Sequence, residues 1–241
     1  MSIWLDYNDV VAYKAYFIKI QILFLQFYFP YNDQIISRLT HPLDNMSHTE
    51  PSEDISRVYR FLSQCMQYPD AEWMNQEFFK VFYNLLGTLE AVEEGVAIKK
   101  ALDSAKDYIE DLQVEYTRLF INGIPHVIAP PYGSVYMDKA LQGAFAGNTL
   151  AFYREKGFGM DENADLPDHL IHELEFLSLL VEEKDFAGEE EFLNKLFRPW
   201  YEKFHPKVTE GAHHPYYRVV VQLIDFFTKE EDKDGFQPNE A

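Results

Sequence analysis

From residue 52 onward, apolar residues recur at helical spacing. Ile55, Val58, Tyr59, Leu62 and Met66 fall three or four positions apart, which places them on one face of a helix. Pro69 ends that segment. Asp70 then offers a cap to a second helix whose face carries Trp73, Phe78, Val81, Phe82, Leu85 and Leu89. A polar connection at Glu93-Glu94-Gly95 leads to a third, with Leu102, Ala105, Ile109, Leu112, Tyr116, Leu119 and Phe120, stopped by Gly123. Residues 121–134 hold Gly123, Pro125, Pro130, Pro131 and Gly133 and read as irregular. Ser134 is expected to cap a helix running through Tyr136 and Leu141 and past Gly143 to Leu150 and Tyr153, with Gly157 and Gly159 ending it.

Pro167 fits the first turn of the next helix, where a missing N–H costs nothing. That helix has the clearest stripe in the chain: Leu170, Ile171, Leu174, Leu177, Leu180 and Val181. Phe192, Leu196, Phe197, Trp200, Tyr201 and Phe204 follow, with Pro199 as a break or kink, and then Tyr216, Val220, Leu223, Ile224 and Phe227. The charged tail from Lys229 reads as frayed. No segment sustains the alternation of a strand and no fixed-length repeat appears, so the expected fold is all-α, a single-domain helical bundle or globule.

Residues 1–45 do not share this pattern. Their apolar run, Phe17 to Phe29, is interrupted by Lys19, Gln21 and Gln26 and falls short of the roughly 20 apolar residues of a membrane span. Asp6 and Asp9 stand where a secretion signal carries positive charge. The expected organisation is an atypical extension over 1–45, either upstream of a native start at Met46 or a genuine extension packed as an extra helix, and one helical domain over 46–241.

Charge narrows the partners. A net charge of −19 with no basic stripe argues against nucleic acid and against an anionic membrane surface. It favours a cationic partner by steering, although acidity also serves solubility alone. Cys65 is the single cysteine, so no intrachain disulfide forms, which suits a reducing compartment. Its place on a buried helical face suggests packing rather than reactivity.

Catalytic signatures are missing: there is no Gly-rich phosphate loop and no G-x-S-x-G elbow. Asp168-His169-Leu170-Ile171-His172-Glu173 is the best metal candidate, since His169 can share a helix face with His172 or Glu173. It lacks a third ligand, and Glu202 to His205 supplies only one E-x-x-H where a di-iron bundle needs two. The expectation is a non-enzyme with no metal and no cofactor. A metal-dependent helical-bundle enzyme stands as an alternative.

Three segments in order carry a resemblance. They are Glu115-Tyr116-Thr117-Arg118-Leu119-Phe120, then Ala129-Pro130-Pro131-Tyr132-Gly133-Ser134-Val135-Tyr136, then Leu166-Pro167-Asp168-His169-Leu170 with Glu173-Leu174-Glu175-Phe176-Leu177 behind it. Trp200 to Phe204 and His214-Pro215-Tyr216-Tyr217 add to the set. Over roughly residues 52–228 the chain resembles the TorD/DmsD family of redox-enzyme maturation chaperones. The resemblance implies an all-α, cytoplasmic, non-catalytic protein, monomeric or a small homo-oligomer, with no integral membrane association. Such a protein binds the twin-arginine signal peptide, the body, or both, of a molybdoenzyme precursor and holds it for cofactor insertion before export. An assembly factor that acts on a molybdoenzyme subunit without signal-peptide binding is the alternative within this class. By resemblance, Tyr116, Leu119, Phe120, Pro131, Tyr132 and Tyr136 line the peptide groove, with Asp168 and His169 at its polar edge. Tyr116, Tyr132 and Tyr136 stand where the family often has Trp. Read from spacing alone, Tyr116, Leu119 and Phe120 are core residues.

Overall fold

A computed structural model of the protein describes residues 51–229 apart from 125, 162 and 163. Both the extension expected over 1–45 and most of the charged tail lie outside the described residues. The chain forms α1 (Pro51–Cys65), α2 (Gln76–Thr88), α3 (Val92–Ser104) and α4 (Tyr108–Tyr116), the last running into a π-helical turn, Thr117–Ile121. After an irregular stretch come α5 (Gly133–Met137), α6 (Ala144–Glu155), α7 (Leu170–Glu182) and α8 (Phe186–Phe192). A second π-helical turn, Leu193–Phe197, leads to α9 (Arg198–Gly211) and α10 (Pro215–Thr228). No strand forms among the described residues, and the all-α expectation holds.

Boundaries moved wherever a short polar side chain found a backbone partner. Asp70 does not cap α2. Its carboxylate accepts the Glu72 N–H at 2.7 Å and closes a turn that holds Trp73. Asn75 caps the helix instead, accepting from Glu77 and Phe78. Glu93, Glu94 and Gly95 lie inside α3 rather than before it, since the first turn of a helix favours acidic side chains. The connection is made by Leu89 to Ala91, with Glu90 at φ 60°. The long third helix is in fact two, because Asp107 accepts from Ile109 and Glu110 and starts α4 afresh. Similarly, Asp138 accepts the Phe145 N–H at 2.7 Å, splitting the next expected helix into α5 and α6. Gly157, at φ 85°, turns the chain after α6 as expected of a residue without a Cβ. Pro167 lies in a turn ahead of α7, whose cap is the His169 ring. Pro199 falls in the first turn of α9, and the preceding π-helical turn absorbs the change it would otherwise force.

The α1 and α7 helices make the most extensive pair, and α10 packs across α1, α3 and α9. Between them lies one core in which Trp200, Tyr201, Tyr216, Tyr217, Phe82, Phe192, Phe197 and Phe204 are closed to solvent. Buried tyrosines need a partner for each hydroxyl. Here they take helix-end and neighbouring carbonyls. Tyr216 donates to the Cys65 carbonyl at 3.0 Å and Tyr116 to that of Met66 at 3.1 Å, satisfying the C-terminus of α1. Tyr217 donates to Leu112 and Tyr201 to Val221, both at 2.7 Å. Cys65 is fully buried, and burial pushes its thiol pKa well up, so it packs as an inert small side chain.

Candidate functional site: a polar turn against an aromatic strap

The irregular stretch after α4 does not wander. The Ala129 N–H donates to the Leu119 carbonyl at 2.8 Å and ties the stretch to the first π-helical turn. Further on, Tyr132 and His169 form an isolated antiparallel bridge. Its flanking bonds run from Leu170 N–H to the Pro131 carbonyl and from Gly133 N–H to the Asp168 carbonyl, each 2.9 Å. Pro131 and Gly133 are thereby fixed against the turn that starts α7. The two segments picked out by resemblance meet here.

Asp168 is fully buried, and its Oδ2 accepts the Ser134 N–H at 2.6 Å. It therefore serves the first turn of α5 rather than that of its own helix. Ser134, expected to be that cap, does not act as one. His169 is also buried, and its Nδ1 accepts the Ile171 N–H at 3.2 Å. Burial lowers its pKa to about 4, so the ring is neutral at pH 7, and its edge packs on the Tyr132 ring at 4.8 Å. The exposed carboxylate of the site is Asp165, which accepts the Tyr132 hydroxyl at 2.8 Å. Partial burial works to raise its pKa, but the Leu166 N–H and the Tyr132 hydroxyl outweigh that and hold it below the usual range.

On the other side of the strap, Tyr136 is half-buried and stacks on Trp200, with centroids 5.8 Å apart. Phe204 links Tyr136 to Phe120, with centroids 6.2 Å away in each case, and Phe120 touches Tyr116 at 4.9 Å. Tyr116, Leu119 and Phe120 are buried, with Leu119 fully so, and they form the floor beneath the strap. Pro131 is buried beside the bridge, while Tyr132 and Tyr136 keep part of their surface in solvent. Of the residues named from resemblance, only these two tyrosines present an aromatic face to the outside. Gly133 is required: a Cβ there would lie 2.4 Å from the Phe145 ring and 3.0 Å from Trp200.

Glu173, named from the sequence as a possible metal ligand and within the family segment but not as a groove residue, belongs to this region. It is fully buried on α7 and accepts the Trp200 indole N–H at 2.9 Å. Burial, reinforced by nearby Asp168, raises its pKa well above the usual carboxylate range. A signal was present in the sequence, because Glu173 follows Leu170 by three positions and precedes Leu177 by four, within the apolar stripe. Asp165 and Phe145 carried no comparable signal.

A second charged element braces the floor. Arg118 makes two 2.8 Å bonds to Glu115 and one of 2.7 Å to the Gly211 carbonyl. Glu115 also accepts the N–H groups of His213 and His214. Burial opposes its ionisation, but Arg118 and those two amides outweigh it and lower its pKa. The clasp joins the first π-helical turn to the α9–α10 corner. Among the described residues no group of three or more His, Cys, Asp or Glu is placed to hold a metal ion, and no helix is long and apolar enough to cross a membrane.

Residues 88–205, which hold the strap, the turn and Trp200, match the family model of the nitrate reductase delta subunit. The fold is similar to the crystal structure of a protein from Archaeoglobus fulgidus assigned to redox enzyme maturation. The TM-score is 0.54 at 25% identity, over 77% of this chain and 99% of that one. The family-model match and the shared all-α fold together support the TorD/DmsD-type family of redox-enzyme maturation chaperones, which is of the NarJ/TorD kind.

Proposed function

We propose that the protein is a cytoplasmic chaperone for a molybdenum-containing redox enzyme, and that it is not itself an enzyme. It binds the precursor's twin-arginine signal peptide, with or without its body, and holds it for cofactor insertion before export. The match to the nitrate reductase delta subunit family model and the likeness to a protein assigned to redox enzyme maturation support the maturation role. The observation that carries the peptide reading is the Tyr132–His169 bridge. It fixes part-exposed Tyr132 beside the exposed carboxylate of Asp165, with part-exposed Tyr136 on the other side of the strap over a deep aromatic floor. A twin-arginine signal presents cationic side chains and then an apolar run. Aromatic faces suit the apolar run, and a guanidinium pairs with an ionised carboxylate.

In this reading Tyr132 and Tyr136 touch the peptide, Asp165 meets an arginine, and Asp168 and His169 position the rim. Tyr116, Leu119, Phe120 and Pro131 support it from below. Calorimetric titration with a synthetic peptide holding two adjacent arginines and an apolar run tests this. Tyr132→Ala should weaken binding about 30-fold, as loss of a hot-spot aromatic does. Asp165→Asn should weaken it less, by a factor that shrinks as salt rises. Unchanged affinity in both variants, with unchanged circular dichroism, would place the peptide site elsewhere.

A further inference from the structure

Four polar atoms around α5 have no hydrogen-bond partner although they are buried: Ser134 Oγ, Tyr136 Oη, Asp168 Oδ1 and Glu173 Oε1. They belong to one neighbourhood. Asp168 holds the Ser134 amide, Glu173 holds Trp200, and Tyr136 stacks on Trp200. Native cores leave few such atoms unsatisfied, and each one raises the free energy of the state that buries it. The segment above them is short and lightly fastened. Two bridge bonds, the Asp168 contact and the Tyr132–Asp165 bond hold it on the α7 side. Its inner face, by contrast, is apolar and closely fitted, with the Gly133 backbone pressed on Phe145 and Trp200.

We infer that Pro130–Met137 is a displaceable plug. It closes an aromatic pocket formed by Phe145, Trp200 and Phe204 above Phe120, and it lifts away to admit an apolar peptide segment. Lifting gives the four stranded atoms access to water or to peptide groups, which offsets the stacking that is lost. The closed form is then a self-occupied state in which the Tyr136 ring covers Trp200; on lifting, Tyr132 and Tyr136 travel with the strap and flank the peptide that takes its place. The inference rests on the peptide-binding reading only for what displaces the plug; opening itself is a property of the free chain.

Native-state hydrogen exchange on the full chain tests opening without any peptide. The Gly133 and Ser134 amides are hydrogen-bonded and buried, yet they should exchange ~100-fold faster than the amides of Leu174 to Leu180 in α7. Exchange at the α7 rate would overturn the plug. Two variants then link opening to binding of the synthetic twin-arginine peptide. Ser134→Ala removes one stranded hydroxyl and should slow that exchange and weaken affinity by the same factor, ~5-fold. Gly133→Ala places a Cβ against Phe145 and Trp200 and should speed exchange and tighten binding, by up to ~10-fold. If Gly133→Ala does not fold, Ser134→Ala decides alone. Exchange that shifts with no proportional change in affinity would overturn the role of the open form. Fast exchange in a protein that binds no such peptide would overturn the peptide reading and leave the plug standing.

Discussion

Two regions of the interior differ in how their aromatic residues and the polar groups beside them are satisfied. Around α1 and α10, every buried tyrosine hydroxyl described above reaches a carbonyl: Tyr216 to Cys65, Tyr217 to Leu112, Tyr201 to Val221 and Tyr116 to Met66. Around α5 and the start of α7, Ser134, Tyr136, Asp168 and Glu173 each keep one stranded atom. Both regions are rich in aromatic rings, so hydrophobic burial does not separate them. The clustering of stranded polar atoms does: Ser56 Oγ on α1 stands outside the tyrosine network, whereas four such atoms gather around α5. The first region is a braced scaffold, with one favourable conformation. The second has a closed state that a partner can compete with.

The largest effect that would sharpen this contrast belongs to the scaffold. Tyr216→Ala empties a fully buried site between Phe79, Phe82 and Tyr217 and strands the Cys65 carbonyl. Denaturant titration should show a loss of about 3–5 kcal/mol. A loss under about 1 kcal/mol would mean that the scaffold is as loose as the plug region.

Acid should act next, and on the rim. The His169 ring caps α7 only while Nδ1 is free to accept, and burial lowers its pKa from the ordinary 6.5 to about 4. Between those values the unfolded chain binds the proton and the folded chain does not. Stability conferred by the neutral ring is therefore complete above pH 6.5 and is lost as pH falls towards 4. The full loss is roughly 3 kcal/mol at 1.36 kcal/mol per pKa unit. His214 caps α10 in the same manner with its pKa also lowered by burial, so it adds to the loss with the same sign. His169→Asn, which retains a capping oxygen, should flatten the melting profile over this range. An unchanged profile would show that the histidine does not titrate in folding.

Removing single hydroxyls gives the most direct comparison. Tyr217→Phe strands the Leu112 carbonyl and should cost about 1–2 kcal/mol. Tyr136→Phe removes an oxygen that has no partner, so stability should not fall and should rise by up to about 1 kcal/mol. Equal losses in the two variants would erase the distinction between the two regions.

Much of this was legible in the amino-acid order. Helical spacing located the α1, α7 and α10 faces, because a face buried against one layer repeats with the period of the helix itself. The resemblance brought the Pro-Pro strap and the Asp168–His169 turn under suspicion before their pairing was visible. Helix boundaries were less legible. Asp70, Asp107 and Asp138 are equally plausible caps by type, but only Asp107 caps its own following helix; Asp70 makes a local turn and Asp138 reaches forward to Phe145. Which backbone N–H a short carboxylate meets depends on how the chain turns next.

The site divides along the same line. Sequence by itself determined that the protein is helical, that Tyr116, Leu119 and Phe120 share a buried-looking face, and that Tyr132 sits in a segment unable to form a long helix. Tertiary structure alone decided that Asp168 is sealed beneath the strap and that Asp165 is the exposed carboxylate. It also decided that Glu173 is tied to Trp200 and that the rim is joined by a single bridge. Periodicity is a local property, set by backbone geometry within a few residues. Burial of a carboxylate and the partner of a hydroxyl depend on chain segments far apart in sequence, which meet only when the helices pack.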